Sequence, residues 1–179
     1  SMVVTKYPRS AYASESYRNL AEFAFARKKY AESIRYYEHA VQFKKVPSYP
    51  RTLYKLGWAY FKVRRYSEAL SVMKSVVDVT GKDDKFLTLR EEALNDVVMF
   101  FTEAGKFADA KDFFSRIGGG QQVLGRALNR LSGLYDRRGD YRLAIKVNEI
   151  LIDDKSSDSD KENLGVVFNM TRKAIYHIF

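Results

Sequence analysis

Two glycines of this 179-residue chain have the spacing of a phosphate-binding loop. Gly120 and Gly125 fit the start of the pattern G-x-x-x-x-G-K-[ST], in which backbone amides surround a phosphate. That chemistry also needs a lysine and a hydroxyl residue, for the phosphate and for Mg²⁺. Arg126-Ala127 occupies these two positions, and no strand precedes the loop. We therefore expect a flexible turn between helices rather than a nucleotide site.

An acidic cluster and two histidines are the other candidates for site chemistry. The acidic cluster, a conceivable Ca²⁺ site, consists of Asp153, Asp154, Asp158 and Asp160. It lacks the central glycine and the bidentate glutamate of an EF-hand loop, so we expect a solvated loop with Ser159 capping the next helix. His39 and His177 are 138 residues apart, and no spacing indicates a Ser-His-Asp arrangement. The sequence predicts no enzyme, no metal and no cofactor.

Composition excludes further classes of protein. The chain has no cysteine, which excludes a disulfide scaffold, thiol catalysis and thiolate metal sites. With 46% apolar and 30% charged residues it is not a wholly disordered chain. No apolar run approaches the roughly 18–20 residues of a transmembrane span.

The net charge of +9 is concentrated in the first half of the chain. Residues 1–80 contain 15 basic and 6 acidic side chains, whereas residues 81–179 contain 16 of each. A partner that binds through electrostatics is therefore expected to contact the first half.

The elements that would position any surface site follow a repeated pattern. Four segments combine an apolar helix, a basic or glycine turn, an aromatic residue and a second apolar helix. In residues 53–77 the first helix has one apolar face, with an i, i+3, i+4, i+7 spacing, formed by Leu53, Leu56, Gly57 and Tyr60. The second helix has another, formed by Tyr66, Ala69, Leu70, Met73, Val76 and Val77. The small Gly57 and Ala69 are expected to let helices approach closely.

The aromatic residue after each turn gives the period. These residues are Tyr30, Tyr66, Phe107 and Tyr141, and the intervals between them are 36, 41 and 34 residues. The long interval contains a polar insertion, residues 81–85, after which Thr88 and Glu91 have the spacing of a capping box. Ser159 and Glu162 repeat that spacing before a last helix. Within the turns, Gly105 and Gly139 are expected to adopt the left-handed cap conformation, and Lys28 and Arg64 occupy the equivalent positions.

The pattern resembles the tetratricopeptide repeat, a helix-turn-helix unit with a period of about 34 residues. Leu56-Gly57-x-x-Tyr60 followed by Ala69 matches the family signature. Leu53 replaces the signature tryptophan, Ser33 an alanine and Asn148 an aromatic residue, and the closing proline is missing. The resemblance implies an all-α, right-handed superhelical solenoid of stacked antiparallel helix pairs.

The resemblance also implies the domain organisation. We expect a lead-in over residues 1–13 and one repeat array over residues 14–179. The repeats span about 14–46, 50–80, 87–117 and 121–155, and residues 159–179 form a capping helix or half of a fifth repeat.

In this family the first helices line a concave groove, and its positions can be transferred to this chain. The residues we predict to bind a partner there are Arg18, Phe25, Arg51, Tyr54, Lys55, Trp58, Phe61, Lys62, Arg126 and Arg130. Tyr54, Trp58 and Phe61 lie away from the predicted packing face, so burial against the next repeat does not easily explain all three. Packing on neighbouring repeats is the alternative. The family's carboxylate clamp is excluded, because Glu22, Glu92 and Asp96 would repel a carboxylate ligand.

The turns within the repeats define a second candidate surface. Stacking would align their cations into a basic ridge, namely Arg27-Lys28-Lys29, Arg64-Arg65, Lys106 and Arg137-Arg138. Solvated turns, whose cations offset the helix dipoles, are the alternative to an edge for an anionic partner.

More loosely, residues 11–179 resemble repeat proteins of the envelope and motility machinery of gliding and predatory bacteria. The sequence segments that carry this resemblance are residues 54–61, residues 89–94 together with 99–101, and residues 113–119. It implies a periplasmic or outer-membrane-associated scaffold; a cytoplasmic location is the alternative.

The sequence as a whole predicts a non-enzymatic scaffold that binds an acidic or amphipathic protein or peptide in the groove. The alternative is an electrostatic adaptor whose basic N-terminal half binds an acidic protein, lipid headgroups or nucleic acid. Nucleic acid is the least favoured of these, because no recognised nucleic-acid motif is present.

Overall fold

The computed structural model describes residues 11–106, 108–117 and 120–153, which are helical with no strand among them. The predicted all-α class and its helix-turn-helix pairs are confirmed. The helices are α1 (Ala11–Ala26), α2 (Tyr30–Ala40), α3 (Tyr49–Lys62), α4 (Tyr66–Thr80), α5 (Leu87–Glu103), α6 (Ala108–Ser115), α7 (Gly120–Arg138) and α8 (Tyr141–Asp153), with a 3₁₀ turn at Asp84–Phe86 before α5.

The chain divides into two compact units, Ser1–Lys106 and Phe107–Phe179. In the first unit each of the helices α1 to α5 packs against the next, and α3 also contacts α5. In the second unit α7 packs against both α6 and α8. The single array over residues 14–179 and its repeat boundaries stay a prediction.

The interface between α3 and α4 shows why the signature residues matter. The predicted apolar faces are buried, including Leu56 and Tyr60 on α3 and Met73 on α4. A Cβ atom added to Gly57 would lie 3.4 Å from Met73 Cε and 3.7 Å from the Ala69 carbonyl oxygen. A methyl group at position 57 would therefore just reach α4, so the two helices lie close enough that only a small residue fits between them, as predicted.

Four helices of the described residues end in the same left-handed turn. The left-handed residues, with φ between 60° and 77°, are Lys28, Arg64, Gly105 and Gly139. In each turn the next residue's N–H donates to a carbonyl five residues back, at 2.9 or 3.0 Å. This closes the helix end and reverses the chain. The sequence prediction for all four positions is confirmed.

We predict that Arg64→Gly stabilises the protein, because an L-residue is strained at φ 62° and glycine is not. After the entropy cost of glycine in the unfolded chain, the free energy of unfolding should rise by about 0.5–1 kcal/mol. Urea unfolding measures this. Arg64→Ala keeps the Cβ atom and should give no gain; an equal gain from both variants would contradict a backbone origin.

The predicted capping box at Thr88 and Glu91 is wrong. The chain is already helical at Leu87, so Thr88 lies inside the first turn of α5. The cap lies further upstream, where the Asp83 carboxylate accepts the Lys85 N–H at 3.1 Å and starts the 3₁₀ turn that leads into the helix. A carboxylate that can accept a backbone N–H two residues later starts the turn before Thr88 is reached.

The flexible turn expected around Gly120 and Gly125 is also corrected. Both glycines lie in α7, which begins at Gly120. A phosphate loop needs the residues between the two glycines to curve around the phosphate, whereas here they are helical. The structure thus excludes the phosphate loop for a reason stronger than the missing lysine.

Several sequence predictions lie outside the described residues. They concern Phe107, the acidic cluster beyond Asp153, the cap formed by Ser159 and Glu162, the helix over residues 159–179, and His177. Within the part that is described, no helix has the length and apolarity to cross a membrane. The same part contains no group of three or more His, Asp or Glu residues arranged to hold a metal ion.

Candidate functional site

Helix α3 carries most of the predicted binding residues, and its surface divides into a buried face and an open stripe. Pro50 stands in its first turn, where a missing N–H costs nothing. The positions 51, 55, 58 and 62 are spaced by four, three and four residues, so they lie on one face. We call them the α3 stripe: Arg51, Lys55, Trp58 and Lys62. Arg51 and Lys62 are exposed, and Lys55 and Trp58 are half-buried.

Next to the stripe, Tyr54 connects α3 to α5. Its hydroxyl donates a hydrogen bond to Asp96 Oδ2 at 2.6 Å. Burial, and after it this hydrogen bond to a carboxylate, raise the pKa of Tyr54 well above its usual value. The tyrosine predicted to bind a partner therefore also holds the third repeat against the second.

Trp58 and Phe61 pack against Phe100, a ring on α5 that is fully buried. The ring centroids of Trp58 and Phe100 are 5.2 Å apart at an interplanar angle of 86°, and those of Phe61 and Phe100 are 4.8 Å apart. Trp58 also contacts Phe61 edge to face at 5.4 Å. We call Trp58, Phe61 and Phe100 the aromatic cluster.

These contacts correct one step of the sequence argument. The expectation that burial against the next repeat does not explain Tyr54, Trp58 and Phe61 together is wrong, because each of them contacts α5. The helical periodicity of α3 shows only the face that packs on α4. The second contact, which stacked repeats form between their first helices, leaves no mark in that periodicity. The half-buried Trp58 nevertheless keeps part of its surface open.

Phe25 occupies in the first repeat the place that Phe61 has in the second. Phe25 contacts Tyr30 edge to face at 5.2 Å, and Phe61 contacts Tyr66 in the same way at the same distance. In both repeats the ring before the turn covers the ring that begins the second helix. Part of the role of Phe25 is therefore to close its own helix pair.

The predicted cation Arg18 is neutralised by its own helix. It forms ion pairs with Glu22 at 3.0 Å and with Glu15 at 3.5 Å. It consequently offers little free positive charge to a ligand. The exclusion of a carboxylate clamp agrees with this, since the Glu22 carboxylate beside Arg18 would repel a carboxylate ligand.

The remaining predicted residues, Arg126 and Arg130, lie exposed on α7 in the second unit. The site described here consists of residues of the first unit. Sequence reasoning did not recognise Phe100 as its centre. A signal was present, because Phe100 follows Trp58 by the same 42 residues that separate Asp96 from Tyr54. That offset is one repeat plus the insertion.

Comparison with known proteins agrees with this architecture. Residues 12–80 match the family model described as tetratricopeptide repeat. No curated protein matches the chain in sequence. Three solved structures share the fold at 15–20% sequence identity.

The first of these structures is the Rap conjugation gene regulator of plasmid pLS20 in complex with the Phr* peptide, with a TM-score of 0.50 and 16% identity. The match covers 86% of this chain and 46% of the regulator, so the chain spans about half of that protein. The second is MamA protein (TM-score 0.51, 20% identity), with 89% of this chain and 87% of that one covered. The third, from Podospora anserina, is described as a kinesin light chain with nearly identical TPR-like repeats (TM-score 0.53, 15% identity, 93% and 89% covered).

The chain is thus an all-helical protein with tetratricopeptide-like helix pairs, and residues 12–80 match the repeat family itself. Its helix-turn-helix pairs match those of solved tetratricopeptide solenoids. Proteins of this type generally mediate protein–protein interactions.

We predict that Phe100→Leu loosens the aromatic cluster without unfolding the chain. Leucine fills most of the volume but loses the edge-to-face contacts, so the free energy of unfolding should fall by roughly 1–2 kcal/mol. Trp58 is the only tryptophan, so its fluorescence reports on the cluster directly and should shift to longer wavelength. Val97→Ala, a neighbouring buried truncation outside the cluster, should destabilise without that shift; an unshifted Phe100→Leu spectrum would contradict the assignment.

We also predict a tyrosine-dependent loss of stability at high pH. Burial and the hydrogen bond that Tyr60 donates to Glu38 raise the pKa of Tyr60 to about 12. The folded state thus keeps a proton that the unfolded chain releases near its usual pKa of about 10. The stabilisation is present below about pH 10 and is lost as the pH rises toward about 12.

Urea unfolding at a series of pH values measures this loss. Tyr60→Phe should make the decline shallower across that window, whereas Tyr12→Phe, at a 75% exposed position, should leave the slope as it is in the parent chain. Identical slopes for the parent and Tyr60→Phe would show that Tyr60 does not drive the decline.

Proposed function

We propose that this protein is a non-enzymatic scaffold that binds an acidic or amphipathic protein or peptide in the groove lined by the first helices. The α3 stripe is its anchor. The observation that carries the proposal is the combination on one helix face of three cations with a half-buried tryptophan.

The setting of Trp58 supports its role as an anchor. Its ring is held from below by Phe100 and from the side by Phe61, so its orientation is fixed before a partner arrives. A pre-ordered side chain loses little entropy on binding, and tryptophan is among the residues that most often dominate an interface. Lys62 Nζ lies 5.9 Å from the centroid of the Trp58 ring and brings positive charge to its face.

The charges on either side of Trp58 favour a partner with carboxylates around an apolar residue. Arg51 and Lys62 are exposed at the two ends of the stripe, and Lys55 lies between them. The described ion pairs include none of these three side chains. An apolar side chain seated against Trp58 would leave flanking acidic side chains within reach of these cations.

The pLS20 regulator, which shares the fold, was solved in complex with a peptide, and this supports the proposal that the ligand of this protein is also a peptide. We further propose a setting in a bacterial envelope or motility complex. The sequence segments at residues 54–61, 89–94 and 99–101, which resemble proteins of that machinery, support this. Fractionation of cells that express the native protein tests it; recovery of the protein in the cytoplasm alone would contradict it.

The binding site is tested with partners captured from the native cell and then purified. Trp58→Ala combined with Lys55→Glu removes the anchor and reverses one charge of the stripe. Since hot-spot truncations cost about 2 kcal/mol or more, affinity should fall by roughly thirtyfold or more in a titration calorimetry experiment.

The matched control combines an aromatic and a lysine outside the stripe. Tyr12→Ala with Lys44→Glu changes the same residue types at exposed positions and should keep the parent affinity. A partner that binds the Trp58 variant and the parent equally well would overturn the site assignment.

A further inference from the structure

A second surface lies at one end of the helices in the first unit. The turns after α1 and α3 reverse the chain, and each following helix packs back against its predecessor. The ends of α1, α3 and α5 therefore lie on the same side, and the loops at residues 41–48 and 81–86 lie on the opposite side. We call the cations at the first end the turn edge: Arg27, Lys28, Lys29, Arg64, Arg65 and Lys106.

All six cations of the turn edge are exposed, but they differ in their contacts. Lys29 lies 3.9 Å from Glu32, Arg65 pairs with Glu68 at 2.9 Å, and Arg27 lies over the Phe23 ring at 4.2 Å. No described residue pairs with the side chains of Lys28, Arg64 and Lys106. Each of the three helix ends thus has one cation that forms no ion pair with the residues the structure describes.

Two of these cations are placed where the backbone disfavours them. Lys28 and Arg64 have φ of 60° and 62°, whereas glycines occupy the equivalent places at positions 105 and 139. Stability alone would select glycine at all four. The helix dipole does not account for the choice, because Arg27 and Lys62 already supply a cation at the ends of α1 and α3 without a positive φ. Strain that the sequence retains at a surface position indicates that the side chain has a use.

We propose that the turn edge binds an acidic segment of a partner polypeptide, with carboxylates facing Lys28 and Arg64. This surface is separate from the α3 stripe, and the proposal goes beyond the groove function. The edge has one unpaired cation per repeat, in a row. A row suits a linear polyanion, and the carboxylates of Glu32 and Glu68 within it lower its charge density.

The described contacts favour a polypeptide over the other linear or planar polyanions. Single-stranded nucleic acid binds through several aromatic rings on which successive bases stack, whereas the one large exposed ring beside this edge among the described residues is Phe23, and Arg27 lies over one of its faces. A single exposed ring also offers little apolar surface for insertion into a bilayer, which peripheral lipid binding combines with cations.

The test uses a fluorescein-labelled glutamate-rich peptide, followed by fluorescence anisotropy at low salt. Lys28→Gly combined with Arg64→Gly removes two charges and also relieves both strained positions. Exposed charge pairs each contribute little, so together their loss should weaken binding by about tenfold. The urea midpoint of the same variant should rise, which separates lost binding from lost folding.

The chain offers a matched control at the opposite end of the helices. Lys44→Ser with Lys45→Ser removes the same charge from an exposed loop and should leave the affinity unchanged. Trp58→Ala should also bind the glutamate peptide normally, so a failure of the groove proposal would not affect this result.

Three outcomes would overturn the proposal. One is unchanged affinity in the double glycine variant, and another is an equal loss in the Lys44 and Lys45 control. The third is tighter binding of a thymidine oligonucleotide or of phosphatidylserine vesicles than of the glutamate peptide, which would assign the edge to that class of partner instead.

Discussion

A helix pair of this protein cannot bury its apolar surface without the next pair, and the rest of the first unit depends on this constraint. Helix α3 packs on α4 within its own pair and also contacts α5. The small Gly57 lies at the first contact, and Phe100 fills the second. Because repeats stabilise one another only through such neighbouring contacts, the residues at these contacts are needed for stability even where they also line a surface.

The residues of the candidate site thus have two roles, in packing the repeats and in forming a surface. Tyr54 and Trp58 hold α5 in place, and the same packing fixes the orientation that an interface anchor requires. The cations of the α3 stripe lie on the same helix face as Trp58, and no described ion pair includes them. The site is therefore a packed aromatic base with a charged border, in which rigidity comes from stacking and selectivity from charge.

The turn edge depends on backbone conformation rather than on packing between repeats. Each helix pair needs a residue with positive φ to reverse the chain, and glycine meets this need at positions 105 and 139. Lys28 and Arg64 meet it at a cost in backbone strain, and their side chains extend into solvent beside other cations. Eight of the 15 basic residues in residues 1–80 thus lie on two surfaces, three on a helix face and five at the helix ends.

The sequence by itself determined the helix pairs, the four left-handed turn positions and the small residues between α3 and α4. All of these depend on local spacing or on the backbone preference of one residue. It placed the start of α5 wrongly at Thr88, because the cap formed by Asp83 depends on one hydrogen bond that spacing does not reveal. Only the tertiary structure decided that Tyr54, Trp58 and Phe61 all contact α5. Phe100 is distant from them in the chain, and its burial beneath them is set by how one repeat stacks on the next.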